Sequence, residues 1–228
     1  DKGVLRNYPD STHQSLKMAL GGWHGVDSSM ILPGNGTAEL LTWAARDAAS
    51  NGLSVLPAPC FGAYSRALRC WDARHLFVSL PFSWSSARPQ PFPLKPKGDV
   101  LWITNPHNPT GQLWSRDSIE QNLQKYKLVV CDEAFLPLVP YGENESLVSF
   151  VANHSNLVVI RSLTKLFAIP GLRLGYAIAD PARLEEWRTW RDPWPLNAFA
   201  IVAGIHLMTN NQARDNWISK VNHWVEKE

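Results

Sequence analysis

The stretch LVVIRSLTKLFAIPGLRLGY, residues 157–176, decides how the fold is read. It opens on a short apolar run, Leu157–Ile160, of the kind a strand covered on both faces requires. The run stops at Arg161 and passes into polar sequence carrying Ser162, Thr164, Lys165 and Arg173, before a second apolar run, Leu174–Ala179. The same design stands twice upstream. Val100–Thr104 runs into NPHNPTG (Asn105–Gly111), and Leu128–Cys131 runs into DEAF (Asp132–Phe135). Ligands of an open parallel sheet bind at the carboxyl ends of its strands, so three polar strand ends in succession form a constellation.

Further out, Leu53–Leu56 and His75–Leu80 read as two more strands. Helix-like stretches lie between or beside them: Asp10–Leu20, Thr37–Ser50, Gly62–Trp71, Ser115–Lys125, Ser146–Asn153 and Pro181–Arg191. In the second of these, Leu40, Leu41, Ala44, Ala45, Ala48 and Ala49 recur at helical spacing, and Gly52 ends the run. Strands alternating with helices predict an α/β fold with a mainly parallel sheet. The proline-rich stretch Pro81–Pro96 reads as an irregular surface connection, because each proline removes a backbone donor. Residues 196–227 read as two helices broken at Asn210 and Asn211.

Composition narrows the functions. With 228 residues, 45% of them hydrophobic and only 18% charged, the chain can bury a core and is not disordered. Lys plus Arg number 22 against 20 Asp plus Glu, a net charge of +2 that argues against a nucleic-acid or membrane-surface partner and leaves small ligands open. The longest nearly apolar run, Leu196–Met208, falls short of the ~20 residues of a membrane span. Cys60, Cys70 and Cys131 form no C-x-x-C pair, which points to a reducing, cytoplasmic setting. The start lacks a signal-peptide design and opens on Asp1, as a processed or excised piece would. The seven histidines have no metal-ligand spacing, so no metal is expected.

The candidate residues each have an ordinary alternative. In LPGNGTAEL (Leu32–Leu40), Gly34, Asn35 and Gly36 precede a helix whose free N–H groups would receive a phosphate; alternatively Asn35 merely caps that helix. A dinucleotide fingerprint is excluded by Glu39 at the third glycine position, and a P-loop by the missing Gly-Lys-Ser/Thr. Asp132, ending a buried strand, needs a partner such as a protonated ring nitrogen, or else a cap or ion pair. Lys165 near a sheet edge can serve as a nucleophilic amine, although most loop lysines are solvated. Arg173 can reach a phosphate or form a weak surface pair.

Taken together in order, NPTG, DEAF, SLTK and GLRLGY resemble the pyridoxal-phosphate enzymes of the aspartate-aminotransferase fold, fold type I, over nearly the whole chain. Within that fold IPGLRLGY, DPWPLNAFA (Asp192–Ala200) and LPGNGTAEL look most like the threonine-phosphate decarboxylase branch of cobalamin biosynthesis, with histidinol-phosphate aminotransferase next. The resemblance implies a three-layer large domain over residues 25–195, a shortened N-terminal arm over 1–24, and helices over 196–228 leading to a small domain that is largely missing. It implies pyridoxal 5'-phosphate as cofactor, with Lys165 bonded to its aldehyde, Asp132 facing its ring nitrogen and Asn108 on its phenolic oxygen. Gly36, Thr37, Ala38, Ser162, Thr164 and Arg173 would hold the phosphate. Phe61, in PCFGAY, would stack on the ring, with Tyr64 nearby; Tyr8 would serve a neighbouring subunit's phosphate, which implies a homodimer.

Two departures from the family pattern bear on the reaction. Phe135 replaces the usual tyrosine of DEAY and cannot donate to the phenolic oxygen, which weakens an aminotransferase reading. Members of the fold also continue for roughly another hundred residues, beyond loop variation, and that part carries the arginine that grips the substrate α-carboxylate. The expected function is decarboxylation of threonine phosphate to aminopropanol phosphate. The alternatives are histidinol-phosphate-type transamination and a non-catalytic remnant.

Overall fold

Alternation along the central strands organises the molecule. In β5 (Leu128–Asp132), Val129 and Cys131 join one buried cluster with Leu16, Leu20 and Leu174, while Leu128 and Val130 join a second with Leu40, Leu41 and Leu68. Strands β4 (Val100–Thr104) and β6 (Leu157–Ser162) divide their side chains likewise, and all three are buried along their whole length. Such strands can exist only between two covering layers.

The computed structural model describes residues 6–81 and 89–227. One layer over the sheet contains α1 (Gln14–His24), α4 (Arg116–Leu123) and α7 (Ala198–Thr209), with α8 (Asn211–Lys227) packed on α7; the other contains α2 (Gly36–Asn51), α3 (Ala63–Cys70) and α6 (Pro181–Thr189). With β1 (Ile31–Asn35), β2 (Ser54–Ala58), β3 (His75–Ser79) and β7 (Leu174–Ile178), the strands form one seven-stranded sheet in the order β1-β7-β6-β5-β4-β2-β3. The neighbours from β3 to β6 are parallel, and β7 runs against both β1 and β6. The expected α/β class and mainly parallel sheet are what the structure has. All six expected strands are present, and the helix break falls at Asn210.

Three local expectations differ. Strand β1 is absent from the sequence reading because Pro33 and Gly34 lie inside it; β1 is an edge strand, where a missing ladder donor is tolerated. Helix α1 begins at Gln14 instead of Asp10, because the Asp10 carboxylate accepts from Thr12 N and Gln14 N and folds residues 10–13 into a turn. Val148–Asn153 is a 3₁₀ segment, not the expected α-helix. Of the Pro81–Pro96 connection, residues 82–88 lie outside the described residues; Pro89–Pro96 has no regular element beyond a bridge from Gln90 to Trp114.

Helix α7 packs on α1 through Gly204, where an added Cβ would lie 2.8 Å from Leu16 and Leu174 side-chain carbons. Helix α8 is mostly exposed, with Arg214 its buried residue. Among the described residues no helix is long and apolar enough to cross a membrane, and all three cysteines are free thiols.

Candidate active site

Register brings the polar strand ends together. Thr104 and Asp132 are paired neighbours at the ends of β4 and β5, and the partner of Asp132 on β6 is Ile160, two residues before Ser162 at that strand's end. Side-chain alternation turns Thr104 and Asp132 towards the α2/α3 layer, and Glu133 and Arg161 towards the opposite one. Immediately after β6, the short helix α5 (Leu163–Leu166) carries Thr164 and Lys165.

Asp132 is buried, and burial pushes its pKa above the usual carboxylate value. Three groups oppose that effect: the Ala134 N–H at 3.0 Å, the Tyr64 hydroxyl at 2.8 Å and the charge of Lys165. Lys165 is exposed at the rim, its Nζ 5.3 Å from the Phe135 ring centroid. The amine and the carboxylate therefore come from adjacent strand ends and interact. Among the described residues each Asp132 oxygen accepts one hydrogen bond, so acceptor capacity remains for a ring N–H.

The start of α2 is built to receive an anion. Asn35 precedes the helix, but its side chain makes no cap, which removes the ordinary alternative for this turn. Instead Glu39 Oε2 accepts from Asn35 N at 2.6 Å, and Glu39 is itself paired with Arg191 at 3.4 Å. Among the described residues no side chain accepts from the N–H groups of Gly36, Thr37 or Ala38. Gly36 has φ +73°, a conformation natural to glycine, and a Cβ there would stand 2.5 Å from Arg173 Nη2. Free N–H groups, the helix dipole and a guanidinium thus converge on one spot, matching a phosphate group. Ser162 and Thr164 are buried, with their hydroxyls 2.8 Å apart.

The first turn of α2 lies against β7, where an added Cβ on Gly175 would meet Thr37 N at 2.8 Å and Gly36 C at 3.0 Å. Gly175→Ala is therefore expected to displace the anion cradle. The expected cost is about 1–3 kcal/mol of stability, measured by urea unfolding, with weaker pyridoxal-phosphate binding by absorbance titration. Unchanged values on both would show that the turn can yield.

The remaining expected residues are distributed unevenly. Asn108 is half-buried in a loop that Asn105 folds, exchanging hydrogen bonds with both backbone groups of Trp114, at 2.9 and 3.0 Å. His107 Nε2 donates to Pro59 O at 2.9 Å, so its Nδ1 accepts from Thr110 at 2.7 Å; this histidine ties the loop after β4 to the one after β2. Phe61 is 43% exposed and stands edge-on to Tyr64, centroids 5.7 Å apart. Tyr64 is buried against Trp102, and its hydroxyl points to Asp132. Tyr8 is 79% exposed, with its ring 4.7 Å from that of Trp194.

Sequence reasoning missed the layer beneath. Arg161 and Glu133 are both fully buried and joined at 2.8 Å; Arg161 also grips Glu143 through two bonds of 2.7 and 2.9 Å and Ser146 at 2.7 Å. Glu133 further accepts from Leu147 N and Ser146 Oγ. Burial opposes the charge on Arg161, but the carboxylates of Glu133 and Glu143 outweigh it and raise its pKa. The signal was available: opposite charges stand one position beyond Asp132 and Ile160, which are register partners.

A family model for aminotransferases of class I and II matches residues 1–223. The chain is 31% identical to the threonine-phosphate decarboxylase of Salmonella typhimurium over 98% of its own length and 62% of that protein's. It is 33% identical to a histidinol-phosphate aminotransferase of Desulfitobacterium hafniense, over 89% of this chain and 58% of that one. A solved structure of a Sinorhizobium meliloti histidinol-phosphate aminotransferase, in complex with pyridoxal-5'-phosphate, has the same fold: TM-score 0.78 at 19% identity, over 97% of this chain and 60% of that one. The chain thus spans about three fifths of the length of the relatives it matches.

Proposed function

The chain belongs to the family of class I and II aminotransferases, and on that premise we propose that it holds pyridoxal phosphate and decarboxylates L-threonine O-3-phosphate to aminopropanol phosphate, a step of cobalamin synthesis. The observation that carries the cofactor assignment is the convergence of Asp132, Lys165 and the Arg173–Gly36 cradle at one sheet edge. Those residues fit the group: an anion site, an acceptor with capacity to spare and an amine. Lys165 would hold the aldehyde carbon through Nζ, Asp132 the ring nitrogen and Asn108 the phenolic oxygen. Gly36, Thr37, Ala38, Ser162, Thr164 and Arg173 would hold the phosphate, and Phe61 would cover the ring.

When bound, the cofactor supplies an electron sink for the bond broken at the substrate Cα. Asp132 would hold a proton on the ring nitrogen, which would deepen that sink. The Lys165 amine would hold or deliver a proton at the substrate Cα. Phe135, beside Lys165, offers no hydroxyl where a DEAY sequence has one, and this favours decarboxylation over transamination. Tyr8, exposed on the surface, would reach the phosphate of a second copy in a homodimer working in the cytoplasm.

The similarity to the D. hafniense protein supports histidinol-phosphate transamination as a second reading. The purified chain with pyridoxal phosphate is expected to develop a visible absorbance band distinct from the free cofactor's. With threonine phosphate it should release CO2 and aminopropanol phosphate. Turnover of histidinol phosphate with 2-oxoglutarate would replace the decarboxylase reading by the second, and product from neither would overturn both.

A further inference from the structure

Three buried hydroxyl and carboxyl groups stand in line behind the ring-nitrogen position. Tyr64 Oη lies 2.8 Å from Asp132 Oδ2 and 2.8 Å from Thr104 Oγ1, and the three residues are 2%, 6% and 7% exposed in the order Tyr64, Asp132, Thr104. Proton counting fixes the direction. A carboxylate only accepts, and a phenol has one proton, so Tyr64 donates to Asp132 and Thr104 must donate to Tyr64. We infer that Thr104 and Tyr64 form a positioning relay that holds the Asp132 carboxylate anionic and aims its free lone pairs at a ring N–H. The inference rests on the proposed cofactor reading only for what Asp132 faces, not for the relay itself.

The geometry favours this over plain core packing. The Tyr64 ring already has its apolar contact in Trp102, at a centroid distance of 5.5 Å, and that contact does not require the hydroxyl to meet a carboxylate. Burial and the charge of Asp132 both push the Tyr64 pKa well above its usual value, so the phenol keeps the proton it donates. The second Asp132 oxygen is held by Ala134 N, so both oxygens are oriented from outside the ligand space. Phe61 stands three residues before Tyr64 with its ring edge-on to it, so one short segment contributes both the exposed aromatic and the support for Asp132. Among the described residues the titratable groups acting on Asp132 are Tyr64 on α3 and Lys165 on α5, while Cys131, next to it in β5, points into the opposite layer.

Tyr64→Phe removes the donor and keeps the ring; Thr104→Val removes the second link alone. In the cofactor-free chain, the Asp132 carboxyl titration followed by carbon-13 NMR should move to higher pH in Tyr64→Phe, and by less in Thr104→Val. Pyridoxal-phosphate affinity should fall about tenfold or more in the first and about two- to tenfold in the second. An Asp132 titration identical to wild type in the folded variants would overturn the relay. Should Tyr64→Phe fail to fold, Thr104→Val decides alone, an unmoved titration counting against. Should the wild-type chain bind no pyridoxal phosphate, the proposed function falls, while the cofactor-free titration still decides whether the relay stands.

Discussion

Lys165→Ala is expected to abolish covalent retention of pyridoxal phosphate. The amine stands on α5, one residue after Thr164 and four after Arg161, where its charge is felt by Asp132 and its Nζ faces the Phe135 ring. The anion cradle at Gly36–Ala38 with Arg173 does not depend on that amine, so the variant should still bind the cofactor through its phosphate, more weakly and reversibly. Borohydride reduction followed by dialysis distinguishes the two modes, because reduction makes a carbon–nitrogen link permanent. The wild-type chain should keep one cofactor, bonded at residue 165 by peptide mass mapping, and the variant none. Wild-type label found on another lysine would remove Lys165 from its role, and with it the proposed chemistry.

Arg161→Met is expected to be the most damaging substitution outside the cofactor site. Arg161 and Glu133 have no exposed surface, and the guanidinium also holds Glu143 and Ser146. Removing it leaves a fully buried carboxylate without its charge partner, a loss of about 3–5 kcal/mol. For a chain of this length that corresponds to a drop of roughly 6–20 °C in melting temperature. The double variant Arg161→Met, Glu133→Leu should recover much of the loss, since an apolar pair of similar volume needs no compensation for desolvated charge. Thermal and urea unfolding of the three proteins checks this. A single variant within about 1 kcal/mol of wild type would show that water or rearranged donors satisfy Glu133 instead. Because Glu133 follows Asp132 and Arg161 precedes Ser162, the pair also clasps the two strand ends that carry the site.

The missed features share a cause. Glu133 and Arg161 meet across a strand boundary some thirty positions apart in the chain, and only register makes them neighbours. Tyr64, three residues after Phe61, reads as a second aromatic near the cofactor, but its hydrogen bond to Asp132, 68 positions away on β5, has no signal in the sequence. Strand β1 is hidden because Pro33 and Gly34 are poor strand formers by themselves and acceptable only at an edge, a property of sheet order.

The order of strands and helices was determined by the sequence itself, because hydrophobic period and turn residues act locally along the chain. So were the three polar strand ends, since a polar residue closing a buried run declares itself wherever the run lies. Which end faces which was decided only in three dimensions: β7 reverses direction, β1 closes the edge, and register sets Thr104, Asp132 and their Tyr64 support in line. Hydrogen bonds and ion pairs act over a few ångströms, so their partners are settled when strands from distant parts of the chain pack together, not by spacing along it.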